Sequence, residues 1–302
     1  MELSPQDEGP PPGGRSSEPT SGREKCQHQR MQIRRLTPAL GAEITGLDLS
    51  CDFDDETLNA VHTALVENQV LVIPAPDLTP EQHMALGRRI GEIEIHAFFP
   101  NLGPGLEHVS VLDSDEGNTA SMWHTDETFL PHPPMGTLTH AKTLPDVGGD
   151  TMFASTTAAY DALSPNMKLY LEGLTALHDL SRTTELRYRF GGASPQHYAD
   201  AIAQDRRTAH PVVRVHPETG AKGLFINPTY TRHIVGLPPD ESDAILAFLF
   251  QHSIKEHFTY RHHWREGDLL MWDNRSTMHR VLNDFPGRRL MYRVSVVGST
   301  ER

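Results

Sequence analysis

A β-sandwich or jelly roll with a few helices packed outside it is the fold class this sequence predicts. Three observations predict it. Short runs of β-branched and aromatic residues recur along the 302 residues, Gly- and Pro-containing turns separate them, and only a few stretches carry helical spacing. A chain of this length buries a full core and lies near the upper size of one domain, so residues 31–302 are expected to form a single domain with insertions.

Residues 1–30 hold five prolines, four glycines and no Val, Ile, Phe, Tyr or Trp. Such a stretch cannot bury enough apolar surface to offset its ordering entropy, and it reads as a disordered tail. Met31 opens the folded-looking sequence and is a candidate alternative start. From Ile33 the chain reads as a short strand, and residues 41–46 as a turn and a strand. Residues 54–68 place Leu58, Val61, Leu65 and Val66 at helical spacing, whereas 70–73 is a compact β-branched run, a buried strand. Thr79-Pro80-Glu81-Gln82 supplies an N-cap, a proline at the first helical position and a glutamine at the third, so a helix follows to residue 90. Residues 108–112 alternate as a strand and lead into a polar loop, 113–121, a candidate lid.

Further on, residues 135–141 and 151–154 read as strands joined by a Gly-Gly turn. Ser164-Pro165 starts a helix with Met167, Leu171 and Leu174 on one face. Residues 182–207 are polar and read as a surface loop. Residues 212–215 and 223–227 flank Pro217-Glu218-Thr219-Gly220, a hairpin signature. Residues 240–253 form an amphipathic helix with Ile245, Leu246, Leu249 and Phe250 inward, and strands over 268–272 and 289–297 close the chain.

A net charge of −13 argues against nucleic acid and anionic membrane as partners, since both need clustered Lys and Arg. An anionic substrate would have to be held by local arginines. Two cysteines, Cys26 and Cys51, do not make a disulfide framework, and a reducing cytoplasm fits. No apolar run is long enough for a membrane span, and the first residues lack the apolar core of a signal peptide.

The chemistry is concentrated at Trp123-His124-Thr125-Asp126. In an extended segment residues i and i+2 share a face, so the imidazole of His124 and the carboxylate of Asp126 can grip one metal ion. His279, 155 residues later (279 − 124) and just past Trp272-Asp273-Asn274, is the candidate third ligand. Two His and one carboxylate leave coordination positions open, the arrangement of non-haem Fe(II) oxygenases. Trp123 and Trp272 are expected to pack beside the ligands, and Asp273-Asn274 reads as turn chemistry. His262 and His263, adjacent on a strand, face opposite ways and do not suggest a second metal; His132, His140, His178 and His216 read as surface or satisfied core histidines.

These motifs, with Gly148-Gly149-Asp150-Thr151, Gly223-Leu224-Phe225-Ile226-Asn227 and Trp272-Asp273-Asn274-Arg275, resemble the taurine/2-oxoglutarate dioxygenase family, which includes alkylsulfatases and aryloxyalkanoate dioxygenases. The likeness runs from about residue 32 to the C-terminus. It implies a double-stranded β-helix, Fe(II), and 2-oxoglutarate and O₂ as co-substrates. It places His124, Asp126 and His279 on the iron ligands, Thr151 on the hydroxyl contact to 2-oxoglutarate, and Arg289 on the arginine that pairs with its distal carboxylate. The loop after His279 is slightly shorter than is typical, so Arg288 stays the alternative to Arg289. A planar guanidinium suits a carboxylate because it donates two parallel hydrogen bonds.

On the substrate side His96 and Arg293 match the family, whereas Phe99 stands where Tyr is usual and Ala120 where Asn is. Taurine itself is therefore not the expected substrate. A small anionic substrate with an apolar tail fits better, a sulfonate or alkyl sulfate, with Phe98, Phe99 and Phe129 lining the tail or packing the core; aryloxyalkanoates are the alternative. Hydroxylation at the carbon bearing sulfur or oxygen would give succinate, CO₂ and an aldehyde plus sulfite or sulfate. Relatives of this kind are often dimers or tetramers. Two rivals come from other classes: a zinc hydrolase using the same triad, and a jelly-roll binding protein without catalysis.

Overall fold

The computed structural model describes residues 30–51, 53–96, 99–116, 121–182, 203 and 206–297. The expected tail, Phe98, the lid residues 117–120 with Ala120, and most of the loop 182–207 lie outside these. The predicted mainly β architecture, a double-stranded β-helix with helices packed outside it, is what the described residues form.

One sheet has seven strands: β1 (Gln32–Arg35), β2 (Ala42–Thr45), β3 (Val70–Pro74), β4 (Ser110–Asp113), β5 (Pro134–Thr143), and two late strands, β13 (Asp268–Asp273) and β15 (Leu290–Val297). Their spatial order is β1-β2-β3-β13-β5-β15-β4, antiparallel except where β2 meets β3. Alternation along β3 and β13 explains both faces of this sheet. Leu71, Ile73, Leu269 and Met271 point outward into a cluster with Val61 and Leu65 of α1 (Asp55–Asn68) and Met84 and Leu86 of α2 (Pro80–Ile90). Val70, Val72, Leu270 and Trp272 point inward to Phe153, Trp264 and Met291.

The opposing layer is made of shorter strands. β6 (Thr151–Ser155) lies between β12 (Thr259–His262) and β14 (Thr277–Val281); β7 (Thr175–Asp179) lies between β8 (Arg207–Pro211) and β11 (Thr231–Ile234); β9 (Val213–Val215) and β10 (Lys222–Leu224) form the predicted hairpin. Short helices α3 (Thr156–Asp161) and α4 (Pro165–Leu171) and the long α5 (Pro239–Ser253) contribute a further apolar cluster with Leu224, Ile226 and Ile234. Of the four residues expected inward on α5, Leu246 and Leu249 are buried, whereas Ile245 and Phe250 are half-buried against the cluster.

The capping box at Thr79 forms as read: Gln82 N–H donates to the Thr79 hydroxyl at 3.3 Å and Thr79 N–H to the Gln82 side chain at 2.8 Å. Thr79→Ala is expected to destabilise the protein by about 1 kcal/mol, the usual value of an N-cap, read as a lower denaturant midpoint at unchanged slope. No helix among the described residues is long and apolar enough to cross a membrane.

Candidate active site

The two histidines of the candidate triad meet because their backbones pair. His124 N–H donates to the His279 carbonyl at 3.0 Å and His279 N–H returns a bond to the His124 carbonyl at 2.7 Å, so the segment before Asp126 adds itself to the free side of β14. Residues that exchange both bonds lie directly opposite and present their side chains on one face. The imidazole centroids are 4.2 Å apart. Thr125 fixes the register by donating its hydroxyl to the Thr277 carbonyl at 2.7 Å, which leaves Asp126 facing the same side as His124.

Asp126 uses its two oxygens differently. Oδ2 accepts from the Thr137 hydroxyl at 2.8 Å and from Asn274 Nδ2 at 3.1 Å, with the Arg293 guanidinium also 3.1 Å away. Oδ1 faces the imidazoles, 3.6 Å from His124 Nε2 and 3.8 Å from His279 Nε2. Burial works against its charge, but Arg293, His279 and His124 prevail and hold its pKa well below the ordinary carboxylate range. Burial, with His124 alongside, pushes His279 down to about 3, so this imidazole is neutral. His124 donates Nδ1–H to the Met122 carbonyl at 2.9 Å, which leaves Nε2 as its lone-pair nitrogen. One ligand atom from each of the three lies within 4.8 Å of the others, and no other such group of His, Cys, Asp or Glu occurs among the described residues. An imidazole pair with one carboxylate oxygen turned toward it is the donor set a divalent transition metal takes.

Aromatic walls hold His279. Trp272 is 4.7 Å from its ring centroid, and Phe153, fully buried on the β6 residue opposite, stacks at 6.0 Å. Trp123 lies further out, beneath the Arg280 guanidinium. Asn274 does more than make a turn. It bridges Asp126 and Thr137 through Nδ2, while its Oδ1 accepts from the Trp272 indole at 3.0 Å. If the triad holds a divalent metal, Asn274→Ala is expected to weaken its binding by about 10- to 100-fold, the usual cost of losing a partner that orients a ligand, measurable by competitive chelation.

Beside the triad, β6 and the start of β15 bring Thr151 and Arg289 together. The Arg289 Nη2 lies 3.4 Å from the Thr151 hydroxyl, its Nε donates to the Gly149 carbonyl at 3.1 Å, and Trp264 lies under its guanidinium. The Trp264 indole also donates to Thr151 at 2.9 Å. Gly149, at φ +72, lets the chain pass here; a Cβ on it would stand 3.3 Å from the Arg289 side chain. Burial lowers the Arg289 pKa to about 10, opposed by Asp150, so the guanidinium stays charged at neutral pH. Among the described residues no carboxylate hydrogen-bonds to it. Arg288, the alternative, points the other way: it is half exposed and donates to Asp113 at 2.6 Å. Asp113 and Ser114 thus both bind the chain at the head of β15, Ser114 by accepting the Arg289 N–H at 2.8 Å.

On the remaining side Arg289, Met291 and Arg293 are buried in alternation with half-buried Leu290 and Tyr292, so both arginines face inward. Phe99 packs on the His96 ring at 4.4 Å and lies under Arg293 at 5.9 Å. Phe129 is fully buried edge-on to Tyr230, which in turn reaches the His124 ring. The sequence did not single out Tyr230, Glu94 or Glu127. Glu127 sits next to Asp126 at φ +46, a left-handed backbone region that only a few per cent of non-glycine residues hold. Its Oε1 is 3.6 Å from His96 Nε2, and burial, reinforced by Glu94, raises its pKa to about 8. Burial, with Arg293 nearby, lowers His96 to about 3.

The remaining histidines singled out in the sequence lie outside the triad. His140 and His178 are buried on the Ala75 carbonyl and the Thr128 hydroxyl, His216 on Asp273, while His132 is exposed. His262 lies by Asp268 and His263 by Asp150.

Comparison with known proteins gives a consistent picture. Residues 32–295 match the family described as Taurine catabolism dioxygenase TauD, TfdA family. An alkylsulfatase of Acinetobacter baylyi is 32% identical over 89% of this chain and 86% of its own. The (S)-phenoxypropionate/alpha-ketoglutarate-dioxygenase of Sphingobium herbicidovorans is 33% identical over 88% and 94%. The crystal structure of a taurine dioxygenase from Burkholderia xenovorans superposes with a TM-score of 0.76 at 31% identity, covering 89% of this chain and 90% of that one.

Proposed function

Because this chain belongs to the taurine catabolism dioxygenase TauD, TfdA family, we propose that it is an Fe(II)- and 2-oxoglutarate-dependent dioxygenase that hydroxylates a small anionic organic substrate, a sulfonate or alkyl sulfate. The observation that carries this reading is the division of labour within Asp126, whose Oδ2 is taken up by donors while Oδ1 stands free beside two imidazole nitrogens. When bound, the metal with 2-oxoglutarate (alpha-ketoglutarate) and O₂ supplies the oxidation: the co-acid loses CO₂ to become succinate, and a substrate C–H becomes C–OH.

The chain's own residues do the rest. His124, Asp126 and His279 would hold the ion and leave room for further ligands. Arg289, charged and with no carboxylate hydrogen-bonded to it among the described residues, suits the distal carboxylate of 2-oxoglutarate through two parallel hydrogen bonds, with Thr151 donating beside it. The Trp264 indole and the buried walls keep water from this ion pair, which strengthens it. Arg293 offers the anionic head of the substrate a guanidinium, His96 a neutral imidazole, and Phe99 an apolar surface. If the hydroxylated carbon carries sulfur or a sulfate oxygen, the product collapses to an aldehyde with release of sulfite or sulfate. A zinc hydrolase would have no use for the carboxylate-binding geometry of Arg289, and a binding protein without catalysis would not need the full triad. The reading includes a cytoplasmic location, where Fe(II) and 2-oxoglutarate are both available.

The test is anaerobic. Fe(II) followed by 2-oxoglutarate should produce the weak visible charge-transfer band of a chelate, and O₂ consumption should then rise with alkyl sulfates or alkanesulfonates. Metal binding without a band would remove the oxygenase assignment; a band with turnover only of aryloxyalkanoates would move the substrate class.

A further inference from the structure

The turn that follows β13 carries Asn274, and Asn274 is one of the two neutral donors that hold Asp126 Oδ2. What holds the turn is a chain of charges that the activity does not itself require. Arg275 folds back on Asp273, donating Nε to Oδ1 at 2.8 Å and Nη2 to Oδ2 at 2.7 Å, while its own backbone N–H reaches Oδ1 at 2.9 Å. His216 completes the second oxygen, donating Nε2–H to Oδ2 at 2.9 Å, and its Nδ1 accepts from the backbone of Glu218 and Thr219. The remaining arm of Arg275 donates to Glu218 Oε1 at 2.6 Å, and the other oxygen of Glu218 accepts from His62 of α1, also at 2.6 Å. Asp273 is 1% exposed, whereas Glu218 and His62 are about one-third open to solvent. The chain thus runs from the protein surface, across the tip of the β9–β10 hairpin, to the residue next to Asn274.

Both oxygens of Asp273 are hydrogen-bonded, and the bonds of Arg275 and His216 to it act on one short segment. The Asp273 carbonyl accepts the Thr277 hydroxyl at 2.7 Å, and the Thr277 carbonyl accepts from Thr125, which lies between His124 and Asp126. Two routes therefore lead from Asp273 to the ligand segment: through Asn274 to the carboxylate, and through Thr277 to the backbone. A metal ligand is only as well aimed as the groups that fix it, and a shift of a fraction of an ångström in a carboxylate is felt as affinity.

We propose that Arg275 is a positioning residue for the metal centre: by clamping Asp273, with Glu218 as its outer support, it sets the turn from which Asn274 and Thr277 aim Asp126. This rests on reading His124, Asp126 and His279 as the metal site. The claim differs from a purely structural role. A structural role lowers the melting temperature and leaves the folded molecules with normal metal affinity; a positioning role changes the metal centre of molecules that are still folded.

The experiment uses the full chain with Fe(II) as the probe, and reads Fe(II) affinity by competitive chelation, the anaerobic Fe(II)–2-oxoglutarate band, and thermal melting. Arg275→Met, close in length but without donors, is expected to weaken Fe(II) binding by about 10- to 100-fold and to alter the band. Arg275→Lys, which keeps the charge without the fork, should recover part of the loss. Glu218→Gln, at a partly exposed site that tolerates change, should give a smaller weakening in the same direction, roughly twofold to tenfold, since it touches the centre only through Arg275. Should Arg275→Met fail to fold, Glu218→Gln decides the matter. Unchanged Fe(II) affinity and band in a folded Arg275→Met, or in Glu218→Gln, would overturn the proposal. If the wild type itself binds no Fe(II), the metal-site reading is what falls.

Discussion

Asp126→Ala is expected to abolish retention of Fe(II) and to lower kcat/KM by roughly a thousandfold or more, at least about 4 kcal/mol of transition-state stabilisation. Two effects add. The metal loses its only anionic ligand from the protein, and the Thr137 hydroxyl, Asn274 amide and Arg293 guanidinium are left facing the space the carboxylate filled. A buried guanidinium without its partner is costly, so the variant should also melt lower than wild type. Asp126→Asn keeps the shape and removes the charge, and separates the two effects. Iron content after gel filtration, circular dichroism and succinate formation are the measurements; a folded Asp126→Ala that still retains stoichiometric iron would sink the triad.

Arg289→Ala should leave Fe(II) binding almost untouched while weakening 2-oxoglutarate by about 10²- to 10³-fold, or roughly 3–4 kcal/mol, the scale of losing one partner of a buried, doubly hydrogen-bonded ion pair. The band titration reads this directly, because the midpoint in 2-oxoglutarate shifts while the Fe(II) midpoint does not. Arg289→Lys should recover only part of the loss, since an ammonium cannot reproduce the fork. Arg288→Ala serves as the comparison. Its guanidinium is committed to Asp113 at a half-exposed position, so the 2-oxoglutarate midpoint should hardly move. The opposite pattern, Arg288 sensitive and Arg289 silent, would transfer the role to Arg288.

How much was legible depended on whether a residue's partner lay near it in sequence. His124 and Asp126 could be read because spacing of two in an extended segment puts them together whatever the rest of the chain does. The inward alternation of Arg289 and Arg293 could be read for the same reason. The β-branched runs of β3 and β13, the capping box of α2 and the hairpin of β9 and β10 also carry their signals locally. By contrast β8, with sequence Arg-Thr-Ala-His-Pro, and β12, with Thr-Tyr-Arg-His, have no apolar alternation; they are strands because β7 and β6 offer them hydrogen bonds. β14 was hidden in the same way, and His279, expected just past a strand end, lies inside that strand, where its backbone can pair with His124. Asn274 looked like turn chemistry because the carboxylate it serves is 148 residues away. Glu94 and Tyr230 gave no signal, and Glu127 none beyond its place next to Asp126 in a family-like stretch: neither spacing nor composition marks a role for a residue whose surroundings are assembled from several distant segments.

The mutual backbone pairing of His124 and His279 ties together points 155 residues apart (279 − 124), and a metal held by both side chains closes that same loop a second time. In the unfolded chain these nitrogens have no reason to be neighbours. The ion therefore has a strong preference for the native state, and mass action turns that preference into conformational stability: about 2.7 kcal/mol at a free metal concentration a hundred times its dissociation constant. Chelation should accordingly cost the protein resistance to heat and proteolysis as well as turnover.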